Sequence, residues 1–418
     1  MAENKSIAFE FIKEYLEKNK LGETAWIGDS LSPIISNQLV LNLATNMRVD
    51  PIHHNRYSHV FIYSHSIFEY FDSWKIILDE SIRMLSEHGK LIIRSRDSIN
   101  GTLFELKSLL FRNQSISTKL LKQTKMSDGF TVSVFDIKKK SHFIYNDKTW
   151  SIGILSNGEK NETIINLVKS LCQANKNHLP IEFIIAGPEI INEELAKLDI
   201  SYVRTDIEDD LPRISEKKNK IISIAKHENI AIFHDRYIVN DDYFDGFEKY
   251  GYNFDYLTIR QYYPDGSEFP AYLSFETREK IWQTPIHIDT YDQLHPGSFI
   301  NGGLIIIKKH IATLPIFNDL LLHNEAEDVE LAFYLSENGI IARFNGFSSA
   351  VSVGTPLNYT STFKTASRIR TVRNSLRSKL KSKIIKVLLS IWFFLPHSVR
   401  AKLVETSLYE KIKSIINS

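Results

Sequence analysis

The sequence holds a single cysteine, Cys172, in 418 residues. No disulfide can form within the chain, so a disulfide-stapled secreted fold is excluded, and a reducing compartment is expected. No stretch reaches the ~18 consecutive apolar residues of a membrane span. The opening MAENKSIAFEFIKEYLEKNK is charged and lacks the apolar centre of a signal peptide. A large net charge is missing too. The formal value is +1, so nothing global points to nucleic acid. What is present is ordinary core-forming material, with 43% hydrophobic and 24% charged residues. The length predicts two or three domains.

The charge is unevenly spread. From Ser361 to the end there are 13 Lys and Arg against 2 Glu, while the first 360 residues carry 38 Lys and Arg against 48 Asp and Glu. An acidic body with a basic tail predicts that the tail meets something anionic. In that tail, Arg368, Arg370, Arg373, Arg377, Lys379, Lys381, Lys383 and Lys386 surround or precede the apolar run IIKVLLSIWFFL, which ends at Pro396. The run is too short to span a bilayer. Basic residues beside Trp392, Phe393 and Phe394 predict a helix lying on an anionic membrane surface. A helical hairpin docked on the body, or a homo-oligomer interface, is the competing reading.

Residues 1–140 read as one α/β unit. Ile7 to Tyr15 has helical spacing. Strands are expected at Ala25–Gly28, His59–Ser64 and Leu91–Ile93. A helix is expected at Trp74–Leu85, closed by a turn at Glu87–Lys90 in which Gly89 supplies a permissive backbone. Phe130–Ile137 alternates as a half-buried strand does. Alternating strands and helices predict a parallel sheet. The polar, basic stretch from Lys138 to Lys148 reads as a linker.

Residues 148–360 alternate again. Strands are expected at Trp150–Leu155, Pro180–Ala186, Ile200–Val203 and Ile230–Phe233, with a helix at Thr163–Cys172 and a short one at Glu193–Leu198. The stretch KKNKIISIAKHENIAIFHDRY organises the rest. Lys217, Lys218 and Asn219 open an amphipathic helix, and the strand Ile230–Phe233 runs into His234, Asp235 and Arg236. A strand that ends in an acid holds a carboxylate at the edge where open α/β sheets bind ligands. The bland reading of HDR is a surface turn. Lysines at a helix start attract phosphate, although Lys217 alone reads better as a solvated residue. Gly302 and Gly303 precede the strand LIIIKK and permit close approach of a ligand, or simply make a turn. Glu327 and Asp328 open a helix, where acids are favoured for capping reasons alone. The aromatic stretch between Asp255 and Pro296 reads mostly as core, with Asp265 and His295 left open.

Four of these landmarks, in this order, resemble the GT-A fold of glycosyltransferases, and family 2 in particular. They are SIGILSNGE with IEFIIAG, KKNKIISIAKHENIAIFHDR, FINGGLIIIKK, and NEAEDVELAFYLSENG. The resemblance covers about half of the chain. It implies a nucleotide-sugar donor held by Ser156, Asn157, Glu159, Lys218, Asn219, His234, Asp235, Arg236, Gly302 and Gly303. It implies inverting transfer with Asp328 as the base and Glu327 in support. It also implies a divalent cation, Mn²⁺ or Mg²⁺, on Asp235. The family's acidic motif has two or three acids and this one has a single acid. His234 is then a second candidate ligand, and Arg236 a direct partner of phosphate.

The earlier run HVFIYS … RMLSEHGKLII … FTVSVFDIKKK resembles class I methyltransferases over about a third of the chain. That family needs a glycine-rich turn for S-adenosylmethionine. The matching stretch, WIGDSLSPI, has one glycine, Gly28, followed by Asp29, so a degenerate domain is expected. The whole then reads as three parts: 1–140 methyltransferase-like, 148–360 GT-A, and 361–418 a basic helical tail. The expected protein is a cytoplasmic glycosyltransferase on the inner face of the membrane, acting on a glycan or lipid-linked acceptor in polysaccharide synthesis. A non-catalytic scaffold of such an assembly and a glycan methyltransferase are the alternatives.

Overall fold

The computed structural model describes residues 11–18, 22–28, 38–39, 48–140, 147–203, 211–275, 285–288, 297–312, 314–323, 325–357 and 359, with scattered positions between 387 and 406. Expectations that fall on Asp29, His295, the centre of the linker and most of the tail lie outside the described residues.

The chain is mixed α/β and builds two large sheets in sequence. The first has the order β2-β1-β3-β4-β6-β5, made from β1 (Thr24–Ile27), β2 (Gln38–Leu39), β3 (Tyr57–Ile62), β4 (Leu85–Ser95), β5 (Ile116–Lys125) and β6 (Thr131–Lys139). Strands β2, β1, β3 and β4 are parallel, and β6 inserts antiparallel between β4 and β5. The helix Trp74–Met84 ends one residue earlier than its periodicity suggests. Glu87–Lys90 is not a turn but part of β4, because Leu85 is already extended (φ −60°, ψ 146°) and buried. Gly89 serves close packing there: a Cβ would lie 2.8 Å from the Leu85 side chain. Strand β6 is buried on both faces rather than half-buried. It also takes in Lys138 and Lys139, two residues the composition assigns to a linker. The Lys139 Nζ is buried and donates to Asn55 Oδ1 (2.8 Å) and to the carbonyls of Arg83 (3.0 Å) and Leu85.

The second sheet has the order β11-β17-β12-β16-β10-β7-β8-β9. Its strands are β7 (Trp150–Leu155), β8 (Ile181–Ala186), β9 (Ile200–Val203), β10 (Asn229–His234), β11 (Tyr237–Val239), β12 (Tyr256–Tyr262), β16 (Leu304–Lys308) and β17 (Arg343–Ser352). Strands β7, β8, β9 and β10 are mutually parallel, and β16 runs antiparallel beside β10. Every residue of β7 and β16 is buried. Strands covered on both faces read as continuous apolar runs, which is why WSIGIL and LIIIK were legible. A small antiparallel sheet, β14 (Ile286–His287), β13 (Tyr272–Phe275) and β15 (Gly297–Ile300), packs beside it.

Two helices matter for the site. Ile214–Ile224 lies on β7, and the contact is close because Gly153 has no side chain: a Cβ there would sit 2.4 Å from Ile221 Cγ2. Glu327–Glu337 buries Val329 and Ala332 against Leu273, Phe275 and Phe299 of the small sheet.

The two large sheets are joined through buried charge. Arg83 pairs with Asp79 (2.9 Å) and with Asp255 (2.7 Å). Arg343 pairs with Asp79 (2.7 Å) and Glu80 (3.0 Å). Arg48 reaches Glu80 (3.4 Å) and the carbonyls of Tyr250 and Asn253. Asp79, Glu80 and Arg83 come from the first half of the chain, and Asp255 and Arg343 from the second.

Candidate functional site

The carboxyl ends of β7, β8 and β10 face one way, and the antiparallel β16 brings its amino end to the same edge. Phe233 pairs with Leu304, and the next residue, His234, donates its backbone N–H to the Gly303 carbonyl at 2.9 Å. The HDR turn and the Gly302–Gly303 step, about seventy residues apart in sequence, thus lie side by side. Gly303 is needed here: a Cβ would come 2.7 Å from both Arg236 Nη2 and Tyr237 OH. At Gly302 a Cβ would come 2.7 Å from Glu327 Oε1 and 3.2 Å from Asp328 Oδ2.

Lys217 and Lys218 do not open their helix. It begins at Ile214, which puts both lysines in its second turn with their side chains buried. Lys217 Nζ donates to the Ser156 carbonyl at 2.9 Å, so it is not a solvated residue. Lys218 Nζ donates to the Gly302 carbonyl (2.9 Å) and pairs with Glu327 Oε1 (3.0 Å). Asp328 Oδ2 accepts from the Gly302 N–H at 2.7 Å, and Oδ1 accepts from Val329 N–H at 2.9 Å. Burial pushes the Asp328 carboxyl up to about 7, with the neighbouring Glu327 adding to the shift and Lys218 opposing it.

The loop after β7 forms the outer wall. Ser156 is buried and its Oγ accepts from Gly158 N–H at 3.0 Å, while Asn157 and Glu159 are exposed and bonded to each other. Gly187, after β8, lets this loop close: a Cβ there would lie 2.4 Å from the Ser156 carbonyl. Asp235 Oδ1 stands 3.3 Å from Lys160 Nζ. The Arg236 guanidinium lies 5.0 Å from the Tyr359 ring centre, 5.7 Å from that of Tyr237 and 5.9 Å from that of Phe269. His234 is held neutral: burial lowers its pKa far below the ordinary value, and Lys218, Arg236, His323 and Lys160 lower it further.

Eleven of the twelve residues that the resemblance assigns to the site fall along this edge. Asn219 faces elsewhere. Its amide accepts from the N–H groups of Ile316 (3.2 Å) and Phe317 (3.0 Å), and donates to the Phe317 carbonyl (2.8 Å) and Asp319 (2.5 Å). It ties down the loop that follows β16. Asp265 lies in an exposed turn bonded to Ser267. Three residues went unread in the sequence: Lys160, His323 and Tyr359. Each sits far along the chain from its partner, and none belongs to a recognisable pattern. Among the described residues no group of three or more His, Cys, Asp or Glu comes together to hold a metal ion, and no helix is long and apolar enough to cross a membrane. In the first sheet, Gly28 ends β1 with φ +142°, and a Cβ there would lie 2.0 Å from Ser64 Oγ.

No family model matches the sequence, and no curated protein matches it. Among solved structures, the chain is similar to residues 1–349 of S. aureus TarS, at 12% identity and a TM-score of 0.34, over 49% of this chain and 60% of that one. It is similar to GalNAc-T7, solved with UDP, GalNAc and Mn²⁺, at 12% identity and 0.38, over 52% and 45%. It is also similar to the inositol-1-phosphate CTP transferase of T. maritima, at 11% identity and 0.33, over 53% and 99%. TarS and GalNAc-T7 are glycosyltransferases. The chain spans 60% and 45% of those two structures' own lengths.

Proposed function

We propose that the chain is an inverting glycosyltransferase that moves a sugar from a nucleotide-sugar donor to a glycan or lipid-linked acceptor in surface-polysaccharide synthesis. One observation carries the reading. Lys218, Gly302, Glu327 and Asp328 close on one another at the edge where the HDR turn ends β10. Ligands of open α/β sheets bind at such an edge.

In this reading the loop Ser156–Glu159 meets the nucleoside, the HDR turn meets the diphosphate, and the sugar lies over Gly302 and Gly303. The acceptor hydroxyl attacks the anomeric carbon. The bond from that carbon to the phosphate oxygen breaks, and the nucleoside diphosphate leaves with the electron pair. The hydroxyl proton passes to the Asp328 carboxylate. An acid with a pKa close to neutrality suits a base that must later release its proton. The first sheet, joined to the second by Arg83 and Arg343, acts as a packed support, and the basic tail brings the enzyme to an anionic membrane.

The test is turnover of a panel of nucleotide sugars by the full chain. Hydrolysis or transfer from one donor, lost in Asp328→Asn and Asp235→Ala with the fold intact, supports the reading. Full turnover in both variants sinks the site assignment. A non-catalytic scaffold is the second reading. It is favoured by one fact: both oxygens of Asp328 already accept backbone hydrogen bonds. It requires that no donor is consumed under any condition.

A further inference from the structure

The mouth of the site is built against a divalent cation. Mg²⁺ and Mn²⁺ are hard ions that gather several carboxylate, carbonyl or water oxygens. The turn after β10 offers one carboxylate, Asp235, and Lys160 already stands 3.3 Å from it. The other two acids are committed, Glu327 to Lys218 and Asp328 to the N–H groups of Gly302 and Val329. His234, the remaining candidate ligand, already feels the positive charges of Lys218, Arg236 and Lys160. A further double positive charge would be repelled there. The donor set therefore does not fit the ion.

The unsatisfied groups call for the opposite kind of ligand. Asn301 is only 2% exposed, and its Nδ2 has no hydrogen-bond partner. The Nε of Arg236 and the Nε2 of His234 are likewise buried and unmatched. Asn301 Nδ2 and Arg236 Nε are donors only. Gly303, two residues after Asn301, packs against Arg236, so both residues flank the same strand edge. A buried donor without an acceptor costs about 1–3 kcal/mol. An oxygen-rich anion would satisfy them together. Arg236 offers paired donors in a fork that matches phosphate, and the rings of Tyr359, Tyr237 and Phe269 hold it in place. Lys160, half-exposed at the rim beside Asp235, adds a positive charge.

We infer that the site binds and neutralises a diphosphate with Arg236 and Lys160, assisted by Asn301 and His234, and needs no divalent cation to do so. The side-chain cations stand where a metal ion would otherwise act on the leaving group. This inference rests on the nucleotide-sugar reading of the same edge.

The experiment is calorimetric titration of the full chain with uridine, guanosine, cytidine and adenosine diphosphates, in EDTA and again in Mn²⁺. One of them should bind with the same affinity in both. Lys160→Met and Arg236→Met should each weaken it by about tenfold or more, while the affinity for the matching nucleoside stays unchanged. Arg236→Met removes a packed side chain, so its fold is checked by circular dichroism. Lys160→Met, at the rim, keeps the test open if the first variant unfolds. Binding that appears only with Mn²⁺ overturns the inference and leaves the glycosyl-transfer reading standing. An unchanged diphosphate affinity in both folded variants also overturns it. No binding of any of the four diphosphates, with or without metal, overturns the inference and the reading beneath it together.

Discussion

Lys218 and Glu327, 109 residues apart in the chain, form an ion pair at 3.0 Å that is almost wholly shut off from water. Each desolvated charge is tolerable because the other is there. The lysine also fixes the Gly302 carbonyl, and the Gly302 N–H fixes Asp328. The pair therefore sets the position of the proposed base through one peptide unit.

Breaking the pair from one side should be far worse than removing it whole. Lys218→Met strands the Glu327 carboxylate and should cost about 3–5 kcal/mol. Lys218→Met combined with Glu327→Gln should recover much of that loss. Urea unfolding of the two single variants and the double variant measures the coupling.

The pH profile should report Asp328. Its carboxyl, raised to about 7, must be ionised to accept a proton. Donor turnover should thus fall about tenfold per pH unit below that value and level off above it. Asp328→Asn should be inactive and flat across the range. A wild-type profile that is flat from about pH 5 to pH 8 would rule out Asp328 as the base.

Folding stability should fall on mild acidification. His54 and His59 are buried, and desolvation holds both down at about 4. A histidine lowered in the folded state stays neutral there, while the unfolded chain takes up a proton below about 6.5. The stability each contributes is present above the unfolded value and is lost as pH falls from there toward the folded value. At about pH 5 the loss is about 2 kcal/mol for each. His234 is lowered too and acts in the same direction, whereas His310, raised by its bonds to Asp255 and Glu228, and Asp328, raised by burial, take up protons in the folded state and oppose them. Urea midpoints at about pH 7.5 and about pH 5 should differ accordingly.

The two large sheets should melt together. Arg343 and Arg83 are wholly buried and bind acids from both halves of the chain. Calorimetry of the wild-type protein should show one transition over the described body. Arg343→Met leaves Asp79 and Glu80 short of a partner and should lower stability by about 3–5 kcal/mol. Two well-separated transitions in the wild-type protein would show that the network does not couple the sheets.

Much of this architecture was legible where sequence speaks locally. Doubly covered strands such as WSIGIL and LIIIK announce themselves as apolar runs, and the 3.6-residue spacing of Ile164, Leu167, Val168 and Leu171 gives the helix Asn161–Ala174 its buried face. The HDR turn and the Gly302–Gly303 step stood out because strand ends and paired glycines are local signals. Where the reading erred, tertiary packing decided. EHGK looks like a turn, yet pairing with β6 keeps it in a strand. Lys139 and Lys217 look solvated, yet buried carbonyls draw them in. Asn219 looks like a donor contact because it follows two lysines. One helical position further on, it faces the loop at Ile316–Asp319 instead. Lys160, His323 and Tyr359 gave no local signal at all, since their roles exist only once distant segments meet.

Gly153 touches none of the charged groups at this edge, yet its missing methyl works as a spacer. It lets Ile221 settle onto β7, and Lys218 lies one helical turn before Ile221, with Lys217 beside it. Lifting this helix by the thickness of one carbon would carry both ammonium groups away together, one from the Ser156 carbonyl and one from Glu327. The spacing of the two walls of the cleft is in that sense gauged by a hydrogen atom in the core.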